Sequence, residues 1–176
     1  MSESEHDSQG TPSPSASYRG IVFLASLGVV GTAYLAFQKV TGGSVACQVG
    51  GSCGSVLDSP WGTLLGVPLS LYGCLAYGLT AALALRPAKW PVLGAASVLT
   101  ATSAYLLFIL TTQLGATFCL YCLASAALSL SLLLLAYQGL SKEEVKAALV
   151  PQAGLATAVI LGLSVAFGDV RSAQAG

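Results

Sequence analysis

Five stretches of this chain are apolar along nearly their whole length: 20–37, 64–85, 92–114, 119–137 and 150–167. At about 1.5 Å of rise per helical residue, each comes close to crossing roughly 30 Å of bilayer hydrocarbon once its flanks are included. Short polar or Gly-rich connections join them. Only 8% of the residues are charged and 55% are hydrophobic, where an ordinary soluble domain carries about 25% charged residues. With a mean hydropathy of +0.77, such a chain cannot cover a water-facing surface. The expected fold is a single all-α domain integral to a membrane, because a lipid-exposed span must satisfy its own backbone hydrogen bonds. Seven basic residues balance seven acidic ones. That leaves no basic face for nucleic acid.

The ends and connections are polar. Residues 1–18 are rich in Ser and Pro and read as a disordered tail, without the basic start of a signal peptide. The membrane domain is expected over 19–170 and a polar end over 171–176. The stretch 86–91 reads as a turn, and 141–146 as a surface loop or interfacial turn. Spans rich in small residues, such as Gly28 and Gly31 or Gly94 to Ser97, allow close helix approach. With five spans, Arg19, Arg86, Lys89, Lys142 and Lys146 share one side, against Lys39 and Arg171 on the other. The positive-inside tendency makes the first side cytoplasmic.

Four of the five cysteines then fall on the opposite, periplasmic or lumenal side, in two pairs: Cys47/Cys53 and Cys119/Cys122. In Cys119-Leu-Tyr-Cys122 a spacing of three on a helix puts both sulfurs on one face, within bridging reach. A helix start also presents unpaired N–H groups and a positive dipole end, which favour a thiolate. Cys47 and Cys53 lie in a loop of Gly and Ser, mobile enough to approach another sulfur. The two pairs suit a relay of thiol–disulfide exchange. Two static disulfides stapling one face of a membrane scaffold are the alternative. A four-thiolate zinc site would need tighter chelating pairs, and His6, the one histidine, lies in the tail. Cys74 sits in an apolar run and reads as a small core hydrophobe. No haem, flavin or nicotinamide motif is visible, so the natural electron acceptor is a lipid-soluble quinone reaching Cys122 from the membrane.

The order of motifs is more specific than any one of them. A spaced cysteine pair follows the first span. Ser59-Pro60-Trp61 comes next, then Leu65-Gly66-Val67-Pro68 at the second span, then C-x-x-C heading the fourth. This order, over residues 19–167, resembles the vitamin K epoxide reductase family, in the five-span form of its bacterial and plastid members. Those members are often fused to a thioredoxin-like domain.

The resemblance implies a four-helix bundle around a quinone site, with a fifth transmembrane helix outside that core. It also implies roles. Cys47 would be attacked by the thiol of a thioredoxin-like partner, Cys53 would pass reducing equivalents to Cys119, and Cys122 would react with the quinone. Ser59 matches a loop serine that supports the redox site by hydrogen bonding. The implied activity is quinone-dependent oxidation of that partner, supporting disulfide formation. The membrane is a bacterial inner membrane or a thylakoid, and the quinone is of phylloquinone, menaquinone, ubiquinone or plastoquinone type. Two departures stand out. No thioredoxin-like domain or further C-x-x-C follows by Gly176, so the partner is a separate protein or the sequence is part of a longer chain. The residues after Cys122 are Leu-Ala-Ser-Ala, not the Thr-Tyr-Ala of animal members. In a DsbB-like enzyme the C-x-x-C pair comes first and the wider pair second, the reverse of the order here. A transporter is disfavoured because no span carries an intramembrane charge.

Overall fold

A computed structural model describes residues 14–43, 62–64, 66–86, 89–113 and 119–168. Five helices dominate: α1 (Pro14–Thr41), α2 (Leu69–Leu85), α3 (Lys89–Gln113), α4 (Leu120–Gln138) and α5 (Lys142–Ala166). A short antiparallel hairpin, β1 (Thr63–Leu64) and β2 (Val67–Pro68), precedes α2. Four helices, all but α2, are long and apolar enough to cross a membrane. The protein is an all-α, multi-pass membrane protein.

Four boundaries differ from the apolar runs. The helix begins earlier than the first run, at Pro14, where a proline costs no hydrogen bond because first-turn N–H groups have no helical partner. Pro14 to Tyr18 therefore open α1, although they read as tail.

The second run begins as the hairpin, and its helix starts only at Leu69. Gly66 holds φ +78°, a left-handed conformation that a Cβ disfavours. Pro68 caps α2 with extended backbone (φ −55°, ψ 130°) and biases the residue before it away from helix. At 17 residues, α2 rises only about 25 Å. α3 already begins at Lys89, inside the stretch 86–91 that reads as a turn, because Pro91 falls in the first helical turn, where its missing N–H costs no bond.

The charged stretch after Leu140 is not a loop. Ser141 is the N-cap of α5, with a reciprocal capping box. Its N–H donates to Glu144 Oε2 at 2.7 Å, and its Oγ accepts from the Glu144 N–H at 3.4 Å. Such a box satisfies two N–H groups that would otherwise lack partners.

α1 packs along α2, α2 meets α3, α3 lies against α4, and α4 returns to α1, closing a four-helix ring. α5 stands outside it, against α3. The α1–α2 approach depends on small residues. A Cβ at Gly28 would strike the Tyr77 ring, and one at Gly73 would sit 3.0 Å from Thr32 Cγ2. Gly31 and Gly94 face open space and contribute no close approach.

The buried core joins Ile21, Ala25, Tyr77, Leu93, Ala96 and Leu132 from all four ring helices. Phe23, Val30, Leu79, Leu134 and Val165 point outward, as lipid-facing side chains must. One end of the bundle gathers the start of α1 and the α2–α3 and α4–α5 turns, tied by Lys89 Nζ to Glu144 Oε1 at 3.8 Å. The other end gathers the hairpin, the head of α4 and the end of α5.

Candidate functional site

Cys119 is the N-cap of α4, in extended conformation (φ −98°, ψ 107°), and its carbonyl accepts from the Leu123 N–H at 3.0 Å. Cys122 follows in the first turn. The structure thus brings together the two sulfurs of the C-x-x-C motif, as free thiols. Cys119 is 2% exposed and packs with Leu110, Leu107, Tyr121 and Cys122.

The Cys119 thiol lies just outside the apolar span Leu120–Gln138, and its pKa is held below the ordinary thiol range. The chief cause is the hydrogen bond from the Cys122 thiol, which burial opposes. The N–H groups of Cys122 and Tyr121 add to it, pointing at the sulfur without closing a capping bond of ordinary geometry. A donor-rich helix start stabilises the thiolate, the nucleophile of disulfide exchange.

Both cysteines open onto an apolar chamber of about 350 Å³ inside the ring. Leu35 of α1, Tyr72 and Ala76 of α2, Leu99 and Leu106 of α3 and Tyr121 of α4 form much of its wall. Leu64 of the hairpin and Leu163 of α5 complete it. The fifth helix therefore stands outside the ring yet reaches the chamber. Phe167, at its C-cap, is buried against Ile109, with Leu64, Leu69 and Leu163 around them. Cys74 is half-buried on α2 and is not among the lining residues.

Few polar groups interrupt the apolar wall. Tyr77 crosses from α2, and its hydroxyl donates to the Ser125 carbonyl at 3.0 Å and pairs with Ser125 Oγ at 3.0 Å. Neither residue stood out in the sequence. The available signal was Ser125 three residues after Cys122, on the same helix face. Cys47, Cys53 and Ser59, with Trp61 of the Ser-Pro-Trp motif, lie outside the described residues.

The family model for the vitamin K epoxide reductase family matches residues 20–137, which run from α1 to the last turn of α4. The chain belongs to the vitamin K epoxide reductase family. The family portion thus coincides with the four-helix ring, and α5 lies beyond it. The chain is also 34% identical over 154 residues to the thiol-disulfide oxidoreductase LTO1 of Arabidopsis thaliana. That alignment covers 80% of this chain and 41% of the plant protein, so the chain spans well under half of its relative's length.

Proposed function

We propose that this family member is a membrane thiol–disulfide oxidoreductase that oxidises a thioredoxin-like dithiol and reduces a quinone. The observation that carries the reading is the free Cys119/Cys122 pair at a helix start, opening onto an apolar chamber. Chamber size and chemistry fit the acceptor. Small-molecule sites run from about 300 to 1,000 Å³ and are mostly apolar, with a few placed polar groups. When bound, a quinone of phylloquinone, menaquinone, ubiquinone or plastoquinone type supplies a two-electron, two-proton acceptor soluble in lipid.

The cysteines do the rest by exchange. A partner thiolate attacks the Cys47–Cys53 disulfide at Cys47, and Cys53 leaves. Cys53 then attacks the Cys119–Cys122 disulfide at Cys119, releasing Cys122 into the chamber. The partner's second thiolate breaks its link to Cys47, and Cys47 in turn breaks the Cys53–Cys119 link, which restores the loop disulfide and leaves Cys119 and Cys122 reduced. Overall, a dithiol and a quinone become a disulfide and a hydroquinone, which balances two electrons and two protons. By its match to the family's loop serine, Ser59 is assigned to support the redox site by hydrogen bonding. The low Cys119 pKa keeps that sulfur competent for exchange near neutral pH. The basic residues at the opposite end support a periplasmic or lumenal site, in a bacterial inner membrane or a thylakoid.

The test is dithiothreitol-driven reduction of a short-chain quinone by the purified protein in lipid nanodiscs. Cys119→Ala and Cys122→Ala should fall to the rate of the protein-free mixture, and Cys74→Ala should keep the wild-type rate. A scaffold with structural disulfides would give no protein-dependent rate at all. That result would end the enzyme reading.

A further inference from the structure

Ser125 follows Cys122 by three residues, so it occupies the same face of α4 about one turn deeper in the chamber wall. Tyr77 reaches it from α2. The ring is 1% exposed and is fixed in place against Gly28 of α1. Tyr77 Oη lies 3.0 Å from both the carbonyl oxygen and Oγ of Ser125. Two hydroxyl protons are available here, and the carbonyl needs only one of them. With the Tyr77 proton on the carbonyl, the Ser125 proton can turn to Tyr77 Oη or into the chamber. In either arrangement lone pairs on the two hydroxyl oxygens remain free to accept.

The pair can therefore offer the chamber a donor or an acceptor without leaving a buried polar group unpaired, which would be costly. Other hydroxyls of the wall are placed differently. Thr32 Oγ1 donates to the Gly28 carbonyl of its own helix at 2.7 Å. Ser103 Oγ accepts from Ser129 at 3.3 Å. Ser70 Oγ, also on the wall, is buried with no hydrogen-bond partner among the described residues, so no second group holds it in place as Tyr77 holds Ser125.

A ligand that uses both faces of such a pair must change from acceptor to donor as it reacts. We propose that Ser125, held by Tyr77, is the hydrogen-bonding contact for a ring oxygen of the quinone. It donates to the carbonyl before reduction and accepts from the hydroxyl afterwards, setting the ring beside Cys122. This rests on the reading that the chamber receives a quinone. Of the two protons that appear on the hydroquinone, one comes from the Cys122 thiol and one from solvent, replacing the proton that the Cys119 thiolate has already released. Ser125 touches the substrate, Tyr77 is a positioning residue, and both end each cycle with their own protons.

The probe is menadione isotopically labelled at its carbonyl carbons. It is added to protein whose cysteines are oxidised, so that binding is read without turnover. Infrared difference spectra should show one carbonyl stretch lowered by hydrogen bonding in the wild type. In Ser125→Ala that stretch should return towards its value in hydrocarbon solvent, with binding weaker by roughly 2- to 10-fold. Ser125→Thr should restore both. Tyr77→Phe should keep a lowered stretch with intermediate affinity, because the Ser125 hydroxyl remains.

An unchanged stretch in Ser125→Ala, in a protein that still binds and reduces menadione, would overturn this assignment and leave the quinone reading standing. A stretch abolished by Thr102→Val on the α3 wall and untouched by Ser125→Ala would also overturn it. Failure of the wild type to bind or reduce menadione would sink the quinone reading itself.

Discussion

At the residue scale, the redox pair was legible because its spacing is local. Cys119 and Cys122 lie one turn apart, so helix geometry alone brings the sulfurs together. The Tyr77–Ser125 contact joins residues 48 apart in sequence. No local pattern could reveal it, since it depends on how α2 crosses α4. Ser125 was visible in the Leu-Ala-Ser-Ala that follows Cys122, yet its partner was not. The Cys119 environment makes a pH prediction. Its thiol is shifted down, so the thiolate persists to lower pH than in an ordinary cysteine. The rate of Cys119 alkylation by iodoacetamide, followed by peptide mass, should hold up at pH values where a free thiol has become unreactive. In Cys122→Ala the principal donor is gone, and the midpoint should move up. The same shift stabilises the fold above the unfolded thiol pKa. That contribution is lost as pH falls through the folded value.

Element boundaries were less legible than element number. Hydropathy located five apolar runs, but it could not tell a membrane hairpin from a helix start. The conformations of Gly66 and Pro68 settle that at α2. Charge misled at 141–146, where Glu and Lys look like a loop and instead build the capped first turn of α5. Replacing Ser141 by Ala should cost about 1 kcal/mol, typical of an N-cap, and lower the thermal unfolding midpoint in detergent. The small residues of α1 were visible, but which of them makes the contact was not. Gly28→Ala forces a methyl group into the Tyr77 ring. Overpacking of this kind costs about 1–3 kcal/mol. Gly31→Ala meets open space and should be tolerated. Equal melting temperatures for the two variants would contradict the α1–α2 packing described here.

For the whole molecule, composition was enough to give an all-α membrane protein, and motif order was enough to give the family. What sequence could not give is the chamber, because its wall draws on every helix and on the hairpin. The reach of Leu163 into that wall was equally hidden, since α5 carries no motif. Sidedness makes a prediction at this scale. Lys89→Cys and Lys39→Cys sit at opposite ends of the bundle. In intact cells a membrane-impermeant maleimide should label the Lys39→Cys protein from outside and reach the Lys89→Cys protein only after permeabilisation. The reverse pattern would put the redox end in the cytoplasm.

In the proposed reaction, electrons leave Cys119 and Cys122 for a quinone in the chamber. The most direct measurement is a single turnover without oxygen. Fully reduced protein is mixed with one equivalent of short-chain quinone, quenched with an alkylating agent, and mapped by peptide mass. Hydroquinone should appear in step with a Cys119–Cys122 disulfide, and Cys122→Ala should form neither. Undiminished hydroquinone formation by Cys122→Ala, or quinone reduction that leaves Cys119 and Cys122 both alkylated as thiols, would contradict this reaction.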